Sequence, residues 1–488
     1  MKGMIRKYEK EQIYSFLLKA TLIFILLQPI FDVLSFLYIR SILPIPVSTY
    51  IKPLLAGLIN IALLFTYKRH FVRCGIVYGA YLVLTIVHTL LLKGFFVEFS
   101  VIAHELRFMI NLLYLLICYF NLRILYTESY DKKSFAGRLS KVLMLTFALY
   151  FVLYLLAVLT GTSGMTYEYS DSLKEGYKGW MDSGQIFGHL LCVCFPFILA
   201  KLLNCKMEKK SHRVLCKIAI VVPSVILCMI GTKVSYYIAI IVLVFQALIE
   251  AFFALKEKQR IHWINGLLCV VCAAGCILVY PLTPVKTNTD INNAVLSAVP
   301  DQESLDKLME EEQEKYGVDL DHGGNSEAEK NARWTRRALN IMAKKYEDGT
   351  LHPSDMRNRQ LVFNFQKFKL AEWEYKLFGI GYLNQRDMAI ERDVLCVLFG
   401  FGIAGFILLL LRPICLWFKS LVWILRKLLK ADVQTFCLFE GFSMFFFISF
   451  YAGATFIYTN FALFLSVLMC LLNHKIETLK DDLSKPMI

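Results

Sequence analysis

A chain of 488 residues, 57% of them hydrophobic and with mean hydropathy +0.53, carries serial apolar runs that a soluble domain has no use for. Its net charge of +14 would suit nucleic acid, but Lys and Arg gather in short loops between apolar runs, which argues against nucleic acid as a partner. The 14 cysteines lie in or beside those runs and none falls between Ile277 and Leu395, so the polar segment there holds neither a disulfide nor a thiolate metal site.

The first run, Ile13–Leu37, is too long for a signal-peptide core and lacks a small-residue cleavage site, so it reads as a retained span. Further spans are predicted at 48–67, 72–92, 101–121, 141–160, 185–203, 215–231, 234–254 and 263–281. A polar interruption follows at 282–392, and then spans at 394–412, 434–451 and 455–473. The basic clusters alternate between loops: Lys68, Arg69 and Arg73; Lys132, Lys133 and Arg138; Lys256, Lys258 and Arg260. The positive-inside rule puts these loops and both termini in the cytoplasm, and the interruption outside.

The expected fold is therefore an all-α polytopic membrane protein of about 12 transmembrane helices. One large, mostly helical extracytoplasmic loop lies between helices nine and ten. It divides the chain into 1–281, 282–392 and 393–488. Within the loop, an acidic half (301–321) precedes a basic, aromatic half, and helices are predicted at 301–316, 326–347 and 363–373. No EF-hand spacing appears in the acidic run, which reads as a solvated helix face. Ile414–Leu429 alternates Trp and Phe with Lys and Arg, the pattern of an amphipathic helix on the inner surface. A second external segment, Gly161–Gly184, joins spans five and six.

Charge inside a bilayer is expensive, so polar residues near the spans are candidates for function. Asp32 lies in the outer part of span one and Lys52 opens span two. Glu105 and Arg107 open span four, and Gln185 and His189 open span six. Lys233 sits in the turn between spans seven and eight, and Glu391 and Asp393 open span ten. All fall on the external side. Snorkelling to the headgroups explains any one of them, but it would populate both sides equally. The set instead suggests a polar cavity open to the outer leaflet, with cations to hold phosphate and carboxylates to take a proton. Glu105 and Arg107, two apart, do not share a helix face, so each needs a partner elsewhere.

Motifs in the last third sharpen this. Lys376-Leu-Phe-Gly379-Ile-Gly381-Tyr382 is followed by Glu391-Arg-Asp393 and then Phe399-Gly400-Phe-Gly402-Ile-Ala-Gly405. Gln28-Pro29-Ile-Phe-Asp32, Gly231-Thr-Lys233 and Met356-Arg357-Asn-Arg359 precede them. In order and sidedness the chain resembles the O-antigen ligase/polymerase family in its Gram-positive branch. The resemblance covers most of the chain by architecture and about sixty residues by motif. It implies transfer or polymerisation of glycan repeats from an undecaprenyl-pyrophosphate donor, outside a bacterial cytoplasmic membrane, for cell-surface polysaccharide. It implies neither metal nor cofactor, and inversion at the anomeric carbon. Partners would be the lipid-linked oligosaccharide, membrane lipids and polysaccharide export or assembly proteins.

By the same resemblance Arg357 or Arg359, with Lys233 and Arg107, binds the pyrophosphate, and Glu391 or Asp393 is the base. Asp32, Lys52, Glu105 and Gln185 support them. Two departures stand out. Many relatives place a His after the glycine motif and this chain has none there, leaving the carboxylates, or His322 or His352 from upstream. Lys233 replaces an Arg, a point charge in place of a bidentate fork. Gly379 and Gly381 read as a turn before a helix rather than a phosphate cradle. Trp334, Trp373 and Tyr382 read as packing rather than sugar-stacking residues. An exporter of lipid-linked oligosaccharide is the alternative function, although such transporters show two related halves and this chain divides nine and three. Another polyprenyl-dependent glycosyl- or acyltransferase is a third.

Overall fold

Apolar runs of this length become helices because a bilayer offers no water to an unpaired backbone group. The computed structural model describes residues 2–43, 47–92, 99–168, 173–205, 208–297, 303, 305, 307–308, 310–311, 327–382, 390–453 and 455–481. Among them, eleven helices are long and apolar enough to cross a membrane, and a bent pair supplies a twelfth span. That pair is α1 (Lys2–Leu26) and α2 (Gln28–Ile39), meeting at 45°. Pro29 sits in the first turn of α2, where its missing N–H and its ring break the ladder.

The helices α3 (Val47–Thr66), α4 (Phe71–Leu92), α5 (Phe99–Glu128) and α6 (Lys132–Leu159) follow. A small antiparallel hairpin, β1 (Gly164–Met165) with β2 (Tyr177–Gly179), comes next. Then come α7 (Gly184–Leu203), the short pair α8 (Lys210–Ile218) and α9 (Val221–Met229), α10 (Lys233–Glu257) and α11 (Arg260–Leu278). Helix α7 is apolar all round and is the hub, with 89% of its apolar window buried against 22% for α4. Side-chain caps start several spans: Asp131 accepts from Ser134 N, Ser183 from Ile186 N and Thr232 from Ser235 N.

Each span reverses the chain. The hairpin, the α9–α10 turn and the segment after α11 therefore share one end of the bundle, here called the loop end. Lys2 and Asp481 lie at the opposite, terminal end. The loop-end segment holds α12 (Pro284–Ser297), α13 (Glu327–Glu347), α14 (Met356–Leu370) and α15 (Trp373–Phe378). Ala338, Leu339, Met342 and Tyr346 of α13 close on Phe363 of α14, with Leu305 and Leu351, to form a core separate from that of the spans. Helix α13 matches expectation and α14 begins seven residues before its predicted start. Helix α12 has no predicted counterpart. Most of the acidic run, and His322, lie outside the described residues.

The tenth span departs from its prediction. Residues 393–400 form a separate short helix, α16 (Asp393–Gly400), and the span itself is α17 (Gly402–Arg426). Gly402 has φ +75°, and a Cβ there would lie 2.3 Å from the Leu377 carbonyl oxygen, so only glycine fits the break. Residues 414–426 are therefore not a separate surface helix but the last part of α17. Its 25 residues rise about 37 Å, longer than the hydrocarbon layer, so its basic, Trp-bearing end emerges from it. Helices α18 (Val433–Tyr451) and α19 (Thr459–Asp481) complete the bundle.

Candidate active site

Burying a charge in apolar surroundings requires a partner and satisfied hydrogen bonds. Asp32 on α2 has both. Its carboxylate accepts from Lys52 Nζ at 2.8 Å, Tyr150 OH at 2.7 Å and Asn460 Nδ2 at 2.5 Å, and Lys52 also donates to Asn460 Oδ1. Asp32, Lys52 and Tyr150 are almost wholly inaccessible. One knot thus ties α2, α3, α6 and α19 together near the loop end.

A second buried pair carries the glycine motif. His88 Nδ1 donates to the Phe378 carbonyl oxygen at 2.6 Å, and His88 Nε2 lies 3.1 Å from Glu105 Oε1. A carbonyl can only accept, so Nδ1 carries its hydrogen. The same Oε1 accepts from Tyr382 N at 2.8 Å. Ile380 N donates to Phe399 O at 2.9 Å and Gly381 N to Gly400 O at 3.1 Å. The motif is therefore docked, backbone to backbone, against the α16–α17 break. Gly379 has φ +96° and its absent Cβ would lie 2.1 Å from Gly400 O. Its role is close approach, not a phosphate cradle. Tyr382 stacks on Phe108 with ring centroids 4.2 Å apart, and buried Trp334 packs edge-on to Tyr375. Trp373 remains exposed.

Above these pairs the accessible charges meet. Asn288 of α12 clamps two turns: it bonds Glu175 N and O, both at 2.7 Å, and Gly231 O at 2.8 Å. This brings Lys174, after the hairpin's first strand, alongside Lys233 at the start of α10. Arg357 of α14 joins them. Burial first, and then the charges of Lys233 and Arg357, push the Lys174 ammonium below its ordinary pKa. Among the described residues neither Lys174 nor Lys233 pairs with a carboxylate. Arg357 Nε donates to Glu391 Oε2 at 3.1 Å, with both side chains substantially exposed. Among the described residues that is one paired carboxylate for three cations, a site of net positive charge.

Asp182, ahead of α7, lies in the field of the Asp32–Lys52 knot. Burial and the Asp32 carboxylate push it up, while Lys52, Lys178 and Arg107 pull it down. Lys178 reaches the Asp182 carbonyl at 3.2 Å and the Glu168 carboxylate at 3.1 Å. Tyr458, just before α19, lies in the field of Asp393, Glu391 and Asp182 and so connects the two charge groups.

A family model for O-antigen ligase like membrane proteins matches residues 10–479. The chain belongs to that family. A comparison with curated proteins gives no match. Membership makes this multi-pass membrane protein a ligase- or polymerase-type glycosyltransferase that works on lipid-linked glycans.

Within this O-antigen ligase-like protein the candidate residues separate by environment. Lys233, Arg357 and Glu391 come together at an accessible face, and Arg107 is exposed on α5 in the field of Asp182. Asp32, Lys52 and Glu105 are buried in the two pairs. Asp393 is also buried, accepting from the backbone N and hydroxyl of Thr455, with the backbone bond at 2.5 Å. Arg359, two residues from Arg357 and so on another face of α14, is buried and donates to Pro353 O at 2.7 Å. Gln185 lies at the start of α7, its buried Nε2 without a hydrogen-bond partner among the described residues. His352 accepts from Ser354 N within its own turn.

Three residues were absent from the sequence reading: His88, Lys174 and Asp182. His88 had a signal, a lone imidazole near the loop end of an otherwise apolar span. Lys174 and Asp182 sit in a segment where every second residue is polar, and nothing local distinguishes them.

Proposed function

We propose that this chain transfers glycan from a polyprenyl-pyrophosphate donor, of the undecaprenyl type, to a sugar hydroxyl at the loop end of the bundle. The observation that carries this reading is that Lys174 lies in the field of Lys233 and Arg357, while among the described residues Glu391 alone pairs with any of the three. The pyrophosphate diester would sit among the three cations. As the bond from the anomeric carbon to the phosphate oxygen breaks, that oxygen keeps the electron pair and the leaving group gains a charge. Cations already placed where that charge develops stabilise it more than they stabilise the bound substrate.

Glu391 would take the proton of the attacking hydroxyl as the new carbon–oxygen bond forms. Its exposure recommends it over Asp393, whose carboxylate is occupied by Thr455. Pyrophosphate would compete with Glu391 for Arg357, so donor binding would itself release the carboxylate. Attack opposite the leaving group inverts the anomeric centre, and no step calls for a metal. Basic loops at the terminal end support a cytoplasmic position for that end and an extracytoplasmic site in a bacterial membrane.

The test is transfer by the purified chain in liposomes, given a synthetic polyprenyl-pyrophosphate oligosaccharide and an acceptor, with chelator present. Glu391→Gln should lose about 10²–10⁴ of kcat with donor KM little changed, and the product's anomeric configuration should be opposite to the donor's. Full activity of Glu391→Gln, or a retained configuration, would remove the mechanism.

A further inference from the structure

Two adjoining cavities, of about 260 and 310 Å³, open at the terminal end, opposite the candidate active site. They lie between α4, α5, α17 and α19 and share Tyr119, Arg123, Arg412 and Met469. One is walled by Leu115, Leu116, Phe120, Leu408 and Leu409, with Arg73 at its rim. The other adds Lys132 and Lys419. An apolar slot therefore ends in a cluster of cations at the terminal end of the bundle.

The cations are poorly compensated. Arg123 Nη1 and Arg412 Nε both donate to the Tyr119 hydroxyl oxygen, at 2.6 and 2.8 Å. That oxygen has two lone pairs, so it is saturated, and it is neutral, so it balances neither charge. Among the described residues none of Arg73, Arg123, Arg412 and Lys419 has a carboxylate within ion-pair distance. The carboxylate lining the site, Glu477, already accepts from Tyr126 OH at 2.7 Å and Asn473 Nδ2 at 2.9 Å, and faces Lys132 at 3.6 Å. Two guanidinium groups brought to one oxygen repel each other unless an anion joins them. A phosphate is the anion whose geometry suits a pair of guanidinium forks.

We propose that this is a binding site for an anionic diacyl phospholipid of the leaflet at the terminal end. Its phosphodiester lies between Arg123 and Arg412, and an acyl chain follows the slot along Leu115, Leu116 and Leu409. The apolar wall selects a lipid over free phosphate. The excess of cations selects an anionic over a zwitterionic headgroup. The site is independent of glycan transfer, and its test reads none.

The full chain in mild detergent is mixed with dioleoylphosphatidylglycerol or dioleoylphosphatidylcholine, and retained lipid is counted by native mass spectrometry. We expect phosphatidylglycerol to be held about tenfold more tightly, because both lipids offer the phosphodiester but the choline cation of phosphatidylcholine meets the surplus positive charge. Arg123→Gln with Arg412→Gln should bring the two lipids to parity, and a millimolar excess of inorganic phosphate should not displace the lipid. A second measurement needs no variant: phosphatidylglycerol with a photoreactive acyl chain, in phosphatidylcholine vesicles, should label α5 and α17 around Leu115 and Leu409. Equal retention of both lipids by the wild-type chain, displacement by phosphate, or labelling confined to other spans would overturn the proposal.

Discussion

Replacing Gly379 by Ala tests how the loop-end segment is held. The substitution forces a side chain into a backbone conformation, φ +96° and ψ 156°, that is essentially glycine's own. This costs about 1–3 kcal/mol. The new Cβ would also lie 2.1 Å from Gly400 O, so the two strands of backbone must part. Parting breaks the Ile380–Phe399 and Gly381–Gly400 hydrogen bonds, each worth about 0.5–1.5 kcal/mol net. Together about 2–6 kcal/mol of local stability is lost, which raises the open population of the motif roughly 30-fold to 2 × 10⁴-fold.

Hydrogen exchange at the Ile380 and Gly381 amides reads that opening directly, and glycan transfer reads its effect on the Arg357–Glu391 face. Gly349→Ala is the control. It too has a positive φ, +70°, but nothing lies within 4 Å of its Cβ position. It should cost about 1–2 kcal/mol and leave transfer intact. Native exchange rates at both amides, together with full activity, in Gly379→Ala would refute the docking role of the motif.

Lys174→Gln and Lys233→Gln should each weaken donor binding about tenfold or more, seen as raised donor KM with an unshifted melting temperature. Equal loss from Arg107→Gln would point to a different phosphate position. Lys367, buried in α14 against the Phe363 ring, is pushed down to about 7 by burial. Between that value and the ordinary lysine value of 10.5 the unfolded chain binds a proton that the native chain does not, so stability should rise with pH across this window. The slope is at most about 1.4 kcal/mol per pH unit, and Lys367→Met should abolish it in melting curves from pH 7 to about 10. Asp32→Asn should destabilise by about 3–5 kcal/mol by stranding the Lys52 charge, and adding Lys52→Met should recover much of the loss in a thermal-shift assay.

The spans were legible because twenty apolar residues in a row have few other destinations, and the family was legible from the order of its motifs. The tenth span was misplaced because hydropathy does not register φ: Val394–Phe399 is as apolar as the span that follows, and only the left-handed Gly402 separates them. Ile414–Leu429, with Lys419, looked like a separate surface helix for a related reason, since α17 is longer than the bilayer is thick. At the site, the sequence marked Arg357 and Arg359 equally. Their separation of two residues puts them on different faces, but which face meets the core depends on Phe363 and α13, far away in sequence. Glu391 and Asp393 divide in the same way, because Thr455, sixty residues on, takes the buried one. Lys174 becomes visible only when Asn288 draws its turn against Gly231.

The knot at Asp32 has a consequence for biogenesis. Its carboxylate and Lys52 enter the membrane early in synthesis, as neighbours able to neutralise each other. The amide that completes their bonding belongs to Asn460 on α19, which is made much later. A ribosome halted before that helix leaves the first hairpin of the chain with an unfinished polar centre in lipid. Quality-control proteases would then have a reason to tell a chain without Asn460 from one that has it, and stop codons anywhere before Asn460 should act as null alleles.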